Sequence, residues 1–312
     1  MRGICLDEEC VVYEVPVNIK EKNKSIEFTI LDNKYKKSLE NIYQTIKNDV
    51  SKDDIKLLYS NIPNTEVREE YIKGLIFSII SNNTIAEYNI KKNCIYLYTS
   101  RYSGSSLTHE VLHSLSSYYD EDRNIFYNGF SQTTNNYSLG EALNEGYTEY
   151  QNIEMFKVKG NETSYVYEII IIKLLEKIIS KKYMKDMYFH ADLYNLIRTL
   201  NNFTNITNIK NFIYRTDYIL NYRKSIFKSE KATDTLLAIN HFLIDTYSNY
   251  LLYLYNNGEI NTCELDYLYL LFITELRQML DIKLPINKDL LNRNISDNAW
   301  IHSERILSLI HI

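Results

Sequence analysis

The sequence predicts an α+β protein, with strands and helices mixed over residues 1–157 and an all-helical region over 158–312. Three observations carry this reading. Short runs rich in β-branched and aromatic residues fall before residue 101, and helical apolar spacing takes over after residue 160. Only 8 Gly and 3 Pro in 312 residues leave few places where a helix must stop. At 45% apolar and 24% charged residues the chain is ordinary for a globular protein, and long enough for one large domain or two closely packed lobes.

Taken in order, residues 10–17 (CVVYEVPV) and 25–31 (SIEFTIL) read as short strands able to pair. From 34 to 82 the spacing is helical, as in Leu39, Ile42, Tyr43 and Ile46, then Tyr71, Leu75, Ile76 and Ile79, and three helices fit. Residues 85–90 (IAEYNI) and 94–100 (CIYLYTS) are strands separated by Lys91, Lys92 and Asn93, a hairpin feeding a helix. That helix is expected to start at Ser105 or Ser106, either of which can cap its free amides, and to run through 107–119 (LTHEVLHSLSSYY). A polar loop over 120–138 leads to a second helix that opens near Gly140 and covers 141–156 (EALNEGYTEYQNIEMF). Helices follow at 164–180, 183–200, about 212–227, 233–255 and 264–280, with a last turn near 301–309, and no internal repeat stands out.

Composition excludes several roles. A net charge of -5, with basic and acidic residues intermixed, argues against a nucleic-acid partner. The 29 Tyr are scattered and come with heavy use of Ile, Asn and Lys, which fits a coding bias better than a stacking platform for bases or sugars. Lys20, Lys22, Lys24, Lys34, Lys36 and Lys37 are interrupted by acids and read as a solvated face. Cys5, Cys10, Cys94 and Cys263 form no CxxC pair, so free thiols are expected. The first residues lack the apolar core of a signal peptide, and the most apolar stretch, 165–179, contains Glu168, Lys173, Glu176 and Lys177 and is shorter than a membrane span. The expectation is a cytoplasmic protein with no membrane partner; no pattern sets an oligomeric state.

His109-Glu110-Val111-Leu112-His113 is an HExxH motif. Residues four apart share a helix face, so both imidazoles can reach one ion, while Glu110 points along the neighbouring face and can serve as general base. Zinc suits such a site, because catalytic zinc takes three protein ligands and keeps a fourth position open for water. The bland alternative is a helix whose histidines are merely satisfied surface or core groups. Glu141, Glu145 and Glu149 recur at every fourth position of the next helix, stacking like charges at a cost of a few tenths of a kcal/mol per pair. A divalent cation held by the facing helix would compensate; a solvated acidic face is the alternative. For a third ligand the residues leave Glu145, Glu141 and, less suitably spaced, Asp120.

Residues 143–150, Leu-Asn-Glu-Gly-Tyr-Thr-Glu-Tyr, resemble the NExxxD/E segment that follows the HExxH helix in gluzincins, the thermolysin-like zinc metallopeptidases. The resemblance covers residues 94 to 157. It implies a zincin-like lobe over 1–157 with a small mixed or antiparallel sheet and the active-site helices, and a helical lobe over 158–312 closing the cleft. It also implies one catalytic Zn2+ on His109, His113 and Glu145, with Glu149 hydrogen-bonding a ligand histidine and Asn144 bracing the site. The link between the two motifs, about thirty residues, is longer than in thermolysin itself. A metzincin would need Gly at Ser116 and His at Tyr119, which excludes that pattern. The activity implied is hydrolysis of a peptide or protein substrate, with Glu110 taking a proton from the zinc-activated water and returning it to the leaving amine. An oxyanion donor should come from the second lobe, where His190, Tyr214 and His241 are available and no motif selects one. The strand 94–100 would take the place of the family's edge strand, able to hold an extended peptide. A non-proteolytic binding or regulatory protein on the same scaffold is the alternative, and Glu110 tells against it, since a structural site needs no carboxylate beside its open position.

Overall fold

A computed structural model of the chain describes residues 3–5, 10–16, 35–49, 66–70, 85–98, 104–157, 165–224, 231–281 and 286–310. The architecture is mixed α+β: small sheets gather in the N-terminal half and the C-terminal region is helical. The strand read at 25–31, the helical spacing at 71–79 and Lys20, Lys22, Lys24 and Lys34 lie outside the described residues.

Strands β1 (Gly3–Cys5) and β2 (Val11–Tyr13) pair antiparallel, so the first partner of the 10–17 segment is the extreme N-terminal run. Helix α1 (Lys36–Asp49) buries Leu39, Ile42 and Ile46, as its spacing requires. Within the span read as helical, Glu66–Glu69 is instead a strand, β3, lying parallel to β5. Its single β-branched residue, Val67, gives almost no local signal, and the pairing comes from a distant strand. Strands β4 (Ala86–Asn89) and β5 (Cys94–Leu97) form the expected antiparallel hairpin, turning at Asn93 with φ 43. In the order β3-β5-β4 the strand 94–97 is central, so the edges of this sheet are β3 and β4 and not the CIYLYTS strand.

Helix α2 (Gly104–Leu115) starts one residue ahead of Ser105 and ends four residues short of Tyr119. Leu107, Val111, Leu112 and Leu115 face the core. Ser116 and Ser117 turn their hydroxyls back to the carbonyls of Leu112 and His113, at 3.0 and 2.6 Å, and close the helix end. The segment after α2 is a sheet and not a polar loop. Strands β6 (Ser117–Asp120), β7 (Ile125–Asn128), β8 (Ser131–Thr133) and β9 (Ser138–Leu139) make a four-stranded antiparallel sheet. Tyr118 stands opposite Tyr127, both are buried with Val15 and Ile125, and burying this tyrosine pair outweighs one more helical turn. Gln132 ties the sheet to β2, accepting from the Tyr13 amide at 2.8 Å and donating to the Val11 carbonyl at 2.9 Å.

Helix α3 (Glu141–Phe156) packs across α2 and along α4 (Val166–Leu175), whose run Ile169–Ile172 is buried on every side. The single helix expected over 183–200 is two, α5 (Lys181–Phe189) and α6 (Leu193–Leu200), broken at Ala191 with φ 52. Asp192 caps α6 by accepting from the Asn195 amide at 3.0 Å. Helices α7 (Ile206–Lys224), α8 (Lys231–Asn256) and α9 (Thr262–Leu276) come next, α9 opened by a reciprocal Asn261–Glu264 capping box. A 3-10 turn, Arg277–Asp281, leads towards α10 (Lys288–Ile310), which is far longer than the terminal turn expected. Among the described residues no helix is long and apolar enough to cross a membrane. One core runs unbroken from Val12 through α2, α3 and α4 to Leu291 and Ile295, so the helical region supports the elements that carry the site.

Candidate metal centre

Three side chains from two crossing helices converge. His109 and His113 project from one face of α2, Glu145 from α3, and their ligand atoms lie within 4.8 Å of one another. His109 Nε2 is 3.1 Å from His113 Nε2 and 3.2 Å from one Glu145 oxygen, and His113 Nε2 is 3.6 Å from the other. Ligands 2.0–2.1 Å from a tetrahedral ion sit about 3.3 Å apart, which is the size of this triangle. Two imidazole nitrogens brought this close in a buried site have little reason to meet unless something sits between them.

The outer contacts set the same chemistry. His109 Nδ1–H donates to Glu149 at 2.8 Å, which leaves the Nε2 lone pair directed at the triangle. Glu149 is held in turn by Asn152 Nδ2 at 3.1 Å, and Asn152 is bonded by the Thr108 hydroxyl. Around His113 Nδ1 stand Asn144 Nδ2 at 3.3 Å, Thr148 Oγ1 at 3.4 Å and Asn128 Oδ1 at 3.4 Å. Asn144 Oδ1 is buried with no partner among the described residues. Turned over, the amide would offer that oxygen to His113 Nδ1–H and free the Nε2 lone pair, so the orphaned atom itself fits a ligand histidine. Thr148 is fixed from below by Tyr188 at 2.7 Å. Gly129, φ +51, lets β7 turn into β8 beside this group; a Cβ there would stand 2.2 Å from Asn144 Oδ1.

The charges follow from the geometry. Burial opposes ionisation of Glu145, but His113 and His109 overcome it and hold the carboxyl well below the usual range. Burial also opposes a charge on His109, yet its bonds to Glu145 and Glu149 lift it to about 10. Proton and metal therefore compete for one nitrogen. Glu110 is buried and makes no contact with the triangle within hydrogen-bond range; burial pushes its carboxyl up against the pull of the two histidines, and the Tyr88 amide of β4 donates to it.

Of the remaining sequence candidates, Glu141 lies a turn away on the wall of a cleft of about 380 Å³, bounded by β4, the β7–β8 hairpin and the start of α3. Asp120 is engaged with Arg123 at the hairpin turn, 3.4 Å away. His190 bonds the Asp186 carbonyl at the end of α5, Tyr214 packs at the core's edge on α7, and His241 faces Asp245 on α8. The aromatic residue at the triangle is Tyr165, which sequence reasoning missed: it stacks on His109 at 5.7 Å and 11°, and burial followed by Glu145 pushes its phenol well above the usual range. Also missed was Asp217 of α7, whose oxygens accept from the Gly140 and Ala142 amides at 2.8 Å each and so cap α3 from outside. The repeat of Asn144, Thr148 and Asn152 at every fourth position was a readable signal for the outer contacts; Tyr165 and Asp217 carry none. No protein-family model matches the chain, and no curated protein or solved structure matches it either.

Proposed function

We propose that the protein is a zinc-dependent hydrolase of peptide bonds, with a zincin-like N-terminal region and a gluzincin-type ligand set of His109, His113 and Glu145. The observation that carries this is the triangle of two Nε2 atoms and a carboxylate, with sides of 3.1, 3.2 and 3.6 Å, backed by Glu149 on His109. Imidazole and carboxylate donors in this number suit zinc. A zinc held there would polarise a substrate carbonyl and make water acidic enough to attack near neutral pH.

The chain's own groups supply the rest. Glu110 takes the proton lost by the attacking water on a carboxylate oxygen and delivers it to the leaving amine nitrogen as the C–N bond breaks. Burial pushes its carboxyl up, which makes the carboxylate a stronger acceptor for the proton of the attacking water. The phenol of Tyr165 stays protonated and can donate to the carbonyl oxygen as negative charge gathers there. An extended substrate would lie along β4, the edge strand of the β3-β5-β4 sheet that lines the cleft.

The test is digestion of a mixed peptide library by wild type and Glu110→Gln, with zinc measured on the same samples. The variant is nearly isosteric and should keep its metal while turnover falls by roughly 100-fold to 10,000-fold. Equal turnover at equal zinc removes Glu110 from the reaction, and no cleavage by zinc-loaded wild type points to a binding protein.

A further inference from the structure

A second set of metal-ligating side chains lies on the helical region, away from α2 and α3. His241 and Asp245, four apart on one face of α8, meet His302 of α10, and their ligand atoms lie within 4.8 Å of one another. His302 Nε2 is 2.6 Å from one oxygen of Asp245, and His241 Nε2 is 3.4 Å from the other. One carboxylate thus has an imidazole on each oxygen. A structural clamp between the helices needs only the buried His302; His241 is exposed and gains little from a solvent-screened ion pair. Among the described residues the Nδ1 of buried His302 has no partner, so its bonding there rests on the nitrogen turned to Asp245.

We propose that His241, Asp245 and His302 bind a divalent transition-metal ion, zinc or nickel, which cross-links α8 to α10. Two imidazoles and a carboxylate favour these ions over magnesium or calcium. The 3.4 Å separation already equals the spacing of ligands on one tetrahedral ion, about 3.3 Å. The 2.6 Å contact is a hydrogen bond that gives way to metal ligation in the tautomer whose proton sits on Nδ1, which leaves the Nε2 lone pair to the ion. The exposed His241 side leaves the remaining positions to water. This site is weaker than the His109 centre, because no carboxylate braces His302 Nδ1 in the way Glu149 braces His109.

The experiment is calorimetric titration of Zn2+ into chelator-stripped protein, wild type beside His241→Ala and Asp245→Asn. The expected result is two classes of site in wild type, the weaker lost or reduced at least 10-fold in both variants and the tighter unchanged. His241 is exposed, so its replacement leaves the fold intact, and melting curves supply a second readout: Ni2+ raises the Tm of wild type more than that of His241→Ala, while Mg2+ raises neither. A single class in wild type that His241→Ala leaves unchanged, or a second class of equal affinity in His241→Ala, overturns the proposal. Failure of the His109 centre would instead abolish the tighter class and leave the weaker one sensitive to His241→Ala.

Discussion

Replacing Gly146 by Ala sets two effects of opposite sign against each other at the helix that carries Glu145. In an open helix the change should stabilise by about 1 kcal/mol, because Gly is the worse helix former. Here α3 rests on α4, and a Cβ at residue 146 would stand 2.6 Å from Glu168 Cβ and 2.8 and 2.9 Å from its backbone carbon and oxygen. Ordinary contact begins near 3.4 Å, and backbone on a buried helix cannot swing aside, so the two helices must part by several tenths of an ångström. Overpacking costs about 1–3 kcal/mol, and with all three contacts below 3.0 Å the upper part of that range, about 2–3 kcal/mol, applies, so a net loss of about 1–2 kcal/mol is expected after the propensity gain. The same movement shifts Glu145, the adjacent residue, against His109 and His113, and zinc affinity should fall at least about 10-fold. Urea denaturation of the metal-free proteins measures the first effect and competition with a chromophoric chelator the second. A Gly146→Ala protein as stable as wild type or more so would show that the α3–α4 contact is looser than these distances require.

Glu149→Ala removes the acceptor behind His109 Nδ1 and should weaken zinc about 10-fold to 100-fold without abolishing binding; unchanged affinity in the chelator competition would sever Glu149 from the site. Asp217→Asn probes the outside cap of α3. Burial drives the Asp217 carboxyl up, the Ala142 and Gly140 amides draw it down, and Glu141 adds to the rise, leaving it at about 7 against an ordinary value of 3.8. The folded pKa is raised, so this group's contribution is fully present below about pH 4 and is lost as pH climbs to about 7, where the unfolded chain has long released the proton; the swing is about 4 kcal/mol. The unfolding free energy of wild type minus that of Asp217→Asn should therefore fall between these pH values, and a difference independent of pH would contradict the assignment.

The legible part of the sequence was the local part. HExxH needs only the helical repeat, and the β4–β5 hairpin is marked by its polar turn at Lys91, Lys92 and Asn93. The helices beyond residue 160 were legible for the same reason, though the cap at Asp192 that splits 183–200 was a signal overlooked. The end of α2 was hidden because Ser116 and Ser117 are tolerable in a helix, and the strand that replaces its last turn is fixed by Tyr127, which pairs with Tyr118 from another strand. Asn128-Gly129 was the one local mark of that sheet, a hairpin dipeptide inside what reads as a polar loop. Strand β3 and the edge position of β4 come from parallel pairing across a long stretch of chain, which no local pattern encodes. Within the site, Glu145 was set apart from Glu141 only by the resemblance of residues 143–150 to a gluzincin segment, whereas Tyr165 and Asp217 reach their places through tertiary packing, Asp217 from 77 residues beyond Gly140.

Metal analysis of wild type, Glu141→Ala and Glu145→Ala, each dialysed against a weak chelator to clear loosely held ions, tests the centre most directly. The triangle of His109, His113 and Glu145 predicts about one zinc per chain in wild type and in Glu141→Ala, and almost none in Glu145→Ala, because two ligands are too few for tight binding. Zinc kept by Glu145→Ala and lost by Glu141→Ala would contradict this ligand set, and so would a wild-type protein that retains none after being offered the metal.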